Sequence, residues 1–137
     1  MTENILKMKL IKIILLLLFG LSLNSCFFDI NFGYENGNGN LKTEERYVNQ
    51  KFDEIIGSGG LEIYLTEGPI NKIIVEADEN LVEIIETKIS NGILTVQTKK
   101  NIVRSKAKRV LITFKNLSVI KASSGAIIKG KSIVRNK

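Results

Sequence analysis

The feature that most constrains the fold is a series of short stretches in which apolar and polar residues alternate: Leu61-Glu-Ile-Tyr-Leu65, Lys72-Ile-Ile-Val-Glu76, Ile93-Leu-Thr-Val-Gln97 and Arg109-Val-Leu-Ile-Thr-Phe114. Successive side chains of a strand point to opposite faces, so a period of two rich in β-branched residues predicts strands with one buried face. Leu61, Ile63, Leu65, Val75, Leu94, Val96, Val110, Ile112 and Phe114 are the predicted core, and Glu62, Tyr64 and Glu76 face water. Gly57-Ser-Gly-Gly60, Glu67-Gly-Pro69, Asn91-Gly92 and Ser123-Ser-Gly125 separate the runs with residues that accept positive φ or fix a turn. Of these, Asn91-Gly92 is the best hairpin signal. Only residues 80–87 read as helical, over one or two turns, with an Asn80/Glu83 pair resembling a capping box.

The first residues follow a different logic. Lys7, Lys9 and Lys12 precede an apolar run over residues 13–23, which gives way to Asn24-Ser25-Cys26. A charged, an apolar and a small-residue region in that order make an export signal over residues 1–25, and the run is shorter than the ~20 residues that cross a bilayer. The alternative is an uncleaved anchor with residues 8–23 inserted in the membrane. Leu23-Asn-Ser-Cys26 resembles the bacterial lipobox, which implies cleavage before Cys26, lipid on its thiol, and a membrane-tethered protein of the cell envelope, with the outer membrane as its place. Cys26 is the only cysteine, and a lone thiol in an exported protein is otherwise a liability in an oxidising compartment. Residues 26–40, rich in Asn and Gly, read as a flexible tether, and residues 41–137 as one small domain.

The chain has no histidine, which removes the commonest general base and the nucleophile arrangements that need one. The carboxylate pairs Asp53-Glu54, Asp78-Glu79 and Glu62 with Glu76 read as surface acids rather than a glycoside-cleaving pair, which needs both groups facing one cleft. Ser58 and Ser124 read as turn formers. No catalytic residue, cofactor or metal is expected. The rival to a non-enzymatic reading is an enzyme acting on polysaccharide, and the third reading is a degenerate structural fragment without its own ligand.

Charge divides the chain sharply: residues 27–96 hold 5 basic and 13 acidic residues, and residues 97–137 hold 12 basic and no acidic ones. Lys99, Lys100, Arg104, Lys106, Lys108 and Arg109 form a candidate anion-binding patch, suited to an anionic glycan or another envelope component. Nucleic acid is not expected, because the cations carry almost no interleaved aromatics for base stacking. Alternatively the acidic and basic strands stack and partly neutralise one another, the charges only solvate the surface, or chains associate through opposite ends.

Residues 52–61 and 117–126 echo each other, each with an isoleucine shortly before a Ser-Gly turn, about 65 residues apart. Beyond this echo, Arg46-Tyr-Val, Phe52-Asp-Glu-Ile, Ser58-Gly, Tyr64-Leu-Thr-Glu-Gly68, Val75-Glu-Ala-Asp-Glu-Asn-Leu81, Ile85-Glu-Thr87 and Gly92-Ile-Leu-Thr-Val96 resemble the auto-transporter adhesin, head GIN domain family. The resemblance spans roughly residues 40–130. It implies an all-β fold, a short right-handed β-helix with Ser-Gly turns, in an exported and often lipid-anchored protein of Gram-negative bacteria that serves adhesion. Family members continue through further Ser-Gly turns, so the expectation is a solenoid incomplete at its C-terminus, with an open end prone to self-association.

Overall fold

The computed structural model describes residues 1–21 and 33–131, with side chains at 1–17 and 33–131. Two compact units result, residues 1–31 and 32–137. In the first, α1 (Thr2–Leu21) carries Lys7, Lys9 and Lys12 and then runs on with apolar residues and one glycine. Among the described residues no helix is long and apolar enough to cross a membrane. Cys26 lies outside the described residues.

The second unit is mostly β, in open sheets rather than a closed barrel. Its strands are β1 (Tyr34–Asn36), β2 (Leu41–Arg46), β3 (Glu54–Gly57), β4 (Glu62–Glu67), β5 (Lys72–Asp78), β6 (Ile85–Ser90), β7 (Ile93–Thr98), β8 (Asn101–Arg104), β9 (Lys108–Phe114), β10 (Val119–Ala122) and β11 (Ile127–Gly130). One sheet has the order β10-β3-β7-β6, a second β11-β4-β9-β5-β2, and β1 pairs with β8. β3 and β4 are consecutive in the chain but enter different sheets, so the turn between them forms a corner. β10 and β11 repeat that arrangement on top of them. Val119 stands on Glu54 and Ile127 on Glu62, an offset of 65 residues in both sheets. The sequence echo is therefore a physical stack of two strand–turn–strand units. On their other side β7 lies parallel to β3 and β9 parallel to β4.

The opposite end is closed differently. β5 and β6 run antiparallel to β9 and β7, and β2 runs antiparallel to β5. The hairpin between β6 and β7 turns at Asn91 (φ 51°) and Gly92 (φ 78°), as Asn-Gly predicts. The core-side positions of β2 are Lys42, Glu44 and Arg46, facing Ala77, Val75 and Ile73. Arg46 Nη2 donates to the carbonyl of Val82 at 2.8 Å, and its Nε makes an ion pair with Glu44 Oε1 at 2.8 Å. A polar layer thus finishes the apolar stack at this end.

All nine predicted core residues are buried, with Phe114 the most exposed of them at 3%. They share the core with Phe52, Ile55, Ile73, Leu81, Val82 and Ile85. The helical segment is shorter than its pattern suggests. A 3-10 turn spans Glu79–Leu81, and strand geometry resumes at Ile85. No capping box forms: Asp78 is the N-cap residue and makes no side-chain capping bond. Asn80 instead donates from Nδ2 to the Asn36 carbonyl at 2.8 Å and accepts at Oδ1 from Asn38 N–H at 2.9 Å. Tertiary bonds to the preceding segment outcompete the local cap.

That segment, residues 33–40, was expected to end a flexible tether. It is held by β1, by Gly37 N–H donating to the Arg104 carbonyl, and by Asp78. Asp78, expected on the surface with Glu79, is only 1% exposed. Its Oδ1 accepts from Lys106 and Ala107 N–H, both at 2.9 Å, and its Oδ2 accepts from Gly39 N–H at 2.8 Å. Burial works to raise the Asp78 pKa, but the amides of Ala107, Gly39 and Lys106 together outweigh it and hold the carboxyl below its ordinary value. The ionised form is thus bound more tightly in the folded chain, so its contribution is complete above the unfolded-state pKa and is lost as pH falls through the lowered folded value. In denaturant titrations at pH 7, Asp78→Ala is expected to cost about 3 kcal/mol by orphaning buried amides. Its stability curve should also be flatter than that of the wild type below about pH 4, where the carboxyl protonates.

Candidate functional site

The stacked corner turns border a polar groove of the β unit. Gly59 (φ 74°) and Gly60 (φ 66°) turn one unit, and Ser124 (φ 48°) and Gly125 (φ 76°) turn the unit above it. Gly60 N–H donates to the Ser124 carbonyl at 3.0 Å, and Ser58 N–H to the Val96 carbonyl at 2.9 Å, so three layers are tied at the corner. Position 59 admits only glycine: its φ is left-handed, and a Cβ there would run into Thr98 Oγ1. Ser58 and Ser124 are turn residues as expected, and their side chains border a groove.

The groove has a volume of about 540 Å³. Ser58, Ser124 and Thr98 contribute hydroxyls, Gln97 and Asn101 amides, Lys100 and Lys108 cations, and Tyr34 a ring. Tyr34 is 73% exposed. No acidic side chain lines it, although Lys100 Nζ pairs with Glu35 Oε2 at 3.1 Å. Lys108 reaches across the corner, its Nζ 3.4 Å from where a Cβ on Gly60 would stand. Hydroxyls and amides that donate and accept, an accessible aromatic ring and an available ammonium group suit a polyhydroxylated ligand bearing negative charge.

Two of the six cations of the predicted patch line the groove. Lys100 and Lys108 enter the groove. Arg109 projects from the outer face of the five-stranded sheet, where Nη1 lies 3.2 Å from Glu76 Oε1. Lys99, Arg104 and Lys106 are exposed and lie outside the groove lining. The alternation of a strand separates Lys108 from Arg109, and the β8 excursion separates Lys99 and Lys100 from Lys106. Sequence reasoning missed Tyr34, which it placed in the tether, along with Thr98 and Asn101. The Ser-Gly echo was the available signal, because the groove runs along the turns that it marks.

Glu62 and Glu76 occupy strands on either side of β9, and both stand beside Arg109 in register. Tyr64 Oη donates to Glu62 Oε2 at 2.9 Å. The two acids therefore belong to a charged row on an open sheet face. Asp53 and Glu54 diverge: Ser118 Oγ donates to Asp53 Oδ2 at 3.3 Å, while Glu54 Oε1 pairs with Lys121 Nζ at 2.7 Å. Among the described residues no three His, Cys, Asp or Glu side chains gather to hold a metal. A second groove of about 440 Å³ lies beneath Pro69 and Ile70, with Asn49, Gln50, Asn71 and Asn116 among its lining.

The β unit thus combines stacked Ser-Gly corners with a polar groove along them. Residues 51–137 match the family described as "Putative auto-transporter adhesin, head GIN domain", and the chain belongs to that family. The match begins after β1 and β2, about eleven residues later than the sequence resemblance suggested. Among solved structures, the chain is similar to a putative adhesin from Parabacteroides merdae ATCC 43184, with 25% identity and a TM-score of 0.60 over 71% of this chain and 42% of that one. A putative adhesin from Parabacteroides distasonis ATCC 8503 shares its fold at 20% identity and a TM-score of 0.62, over 72% of this chain and 42% of that one. So does a putative lipid binding protein from the same organism, at 23% identity and a TM-score of 0.61, over 71% and 44%. The chain thus spans less than half the length of these proteins. No curated protein matches it.

The corner yields a direct test. Gly59→Ala is expected to destabilise the β unit by about 2 kcal/mol in chemical denaturation, through the left-handed φ and the Thr98 contact. Ser124→Asn, at a position whose φ asparagine tolerates, should leave stability within about 0.5 kcal/mol.

Proposed function

We infer that this chain is an exported, non-enzymatic lipoprotein of the cell envelope whose β unit, a short right-handed β-helix, serves adhesion by gripping an anionic glycan in the corner groove. The parallel, in-register stacking of β10–β11 on β3–β4, and of β3–β4 on β7 and β9, supports the helical winding. Right-handedness follows from the strong preference of parallel crossovers. The order of charged, apolar and small residues before Cys26, together with the apolar helix α1, supports export and lipid attachment at that cysteine.

The observation that carries the binding role is the groove itself, which sets Lys108 among hydroxyls, amides and the Tyr34 ring with no lining carboxylate. Lysine supplies a point charge, the hydroxyls and amides satisfy a sugar's own donors and acceptors, and the ring offers an apolar face. The adhesin label of the family and of its solved relatives agrees with this role.

Titration of the purified protein with acidic and neutral oligosaccharides, by calorimetry, tests the reading. Acidic sugars are expected to bind, Lys108→Glu to weaken them at least tenfold, and added salt to weaken them further. Equal binding of neutral sugars, or indifference to Lys108→Glu, would remove the groove from the account. Binding to anionic vesicles alone would assign the same charge to a lipid headgroup. Turnover of any polysaccharide, lost in Glu62→Gln or Glu76→Gln, would favour an enzyme. For the anchor, labelled fatty acid should enter the wild type and be absent from Cys26→Ser; an unlabelled wild type would sink the lipoprotein reading.

A further inference from the structure

Residues 33–40 precede the stretch 51–137 that matches the family, yet they are fastened to it at both ends. Asn101 N–H donates to the Gly33 carbonyl at 3.0 Å, and Gly37 N–H to the Arg104 carbonyl at 2.7 Å, so β1 is framed by β8. Beyond β1 the partner is the 3-10 turn. The Asn80 side chain donates to the Asn36 carbonyl at 2.8 Å and accepts from Asn38 N–H at 2.9 Å. One amide thus takes a carbonyl and an N–H two residues apart, as a neighbouring strand would. Among the described residues the Asn80 side chain bonds to nothing but this segment. Asp78 Oδ2 holds Gly39 N–H at 2.8 Å, and Glu79 N–H donates to the Asn40 carbonyl at 2.7 Å.

The ring that this segment carries is unlike the rest of the groove. Of the described side chains that line it, only Tyr34 and Ile102 present apolar surface of any size, and Ile102 is 6% exposed against 73% for Tyr34. The others offer hydroxyls, amides and ammonium groups, which suit an inorganic anion as well as a sugar. A ring so exposed takes little support from packing, so its place is set by the backbone that bears it. β1 is three residues long with a register shift between Glu35 and Asn36, too short to hold by itself. We propose that residues 33–40 are a strap that sets the Tyr34 ring on the groove, that Asn80 is the positioning residue fastening it, and that the ring selects a sugar over a small anion. This rests on the reading of the groove as a glycan site. A sugar ring has an apolar face to lay on an aromatic one, whereas a sulfate ion has none. Lys108 then reads charge and Tyr34 reads the ring. Asp78 ties the two readers together, because the carboxylate that takes Gly39 N–H from the strap also takes Ala107 N–H, next to Lys108.

The test is calorimetric titration of the full chain in mild detergent with an acidic oligosaccharide, together with competition by inorganic sulfate. Tyr34→Ala and Asn80→Ala are each expected to weaken the sugar about tenfold and to leave the sulfate constant unchanged. The double variant should bind no more weakly than Tyr34→Ala alone, because both changes act through one ring. Tyr34→Phe, which keeps the ring, should stay within about twofold of the wild type. Amide hydrogen exchange should quicken over residues 34–38 in Asn80→Ala and stay unchanged in the core strands. Tyr34→Ala, at an exposed residue, keeps the test decisive if Asn80→Ala fails to fold. Wild-type affinity in Asn80→Ala, additive losses in the double variant, or equal losses for sugar and sulfate would each overturn the proposal. A wild type that binds no acidic sugar would remove the groove reading and this inference with it, so the two failures differ in whether the wild type binds.

Discussion

The β unit depends on strand–turn–strand segments pairing in parallel and in register through two sheets at once. A single sheet fixes register by its apolar alternation, but here each segment is read twice, on either side of a tight corner. β3 must place Ile55 between Leu94 and Ile120 while β4 places Ile63 between Val110 and Ile128. The corner must therefore contain the same number of residues in both stacked units, and Gly59, Gly60, Ser124 and Gly125 supply the left-handed angles that make it short. A slip of one residue in either sheet would turn a whole buried set to solvent. The groove inherits its rigidity from this requirement, since its hydroxyls stand on turns that cannot shift without unpairing two sheets.

Much of this architecture was legible in the sequence. The alternating runs identified β4, β5, β7 and β9, and all nine core residues read from them are buried, because a face that packs against a core needs apolar side chains at every second position. Asn91-Gly92 marked its hairpin because few residue pairs accept two positive φ values in succession. The 65-residue echo marked the stack because segments that lie on one another must solve the same packing problem.

What was not legible depends on contacts between segments distant in sequence. β1 is three residues long with an exposed tyrosine, and nothing in Tyr34-Glu-Asn36 announces that β8 will pair with it. Asp78 followed by Glu79 looks like the acidic start of a helix, whereas the structure uses Asp78 to gather amides from residues 39, 106 and 107. The carboxylate needs three donors to offset its burial, and they come from segments 39 residues before it and 28 and 29 residues after it. Within the basic run, strand alternation sends Lys108 into the groove and its neighbour Arg109 to Glu76 on the other face of the strand.

The division of charge along the chain shows the same conversion. An acidic first half and a basic second half allow either two poles or acidic and basic strands stacked on one another; β9 inserts between β4 and β5, and β10 and β11 stack outside β3 and β4. Across the five-stranded sheet one row reads Ile127, Glu62, Arg109, Glu76 and Thr43, so a cation from the basic half sits between two acids from the other. The Arg109–Glu76 pair is partly exposed and contributes no more than about 1 kcal/mol, too little to hold the fold. Its effect is on register. A slip of β9 by two residues would keep Val110 and Ile112 on an apolar face, so hydrophobic burial alone penalises it weakly. The same slip would replace Arg109 in the row by Leu111 or Ala107 and leave Glu62 and Glu76 facing apolar neighbours without their counter-charge. The charges thus discriminate between alignments that the core tolerates, which is why the strand bearing the central cation is the one that lies between the two acidic strands.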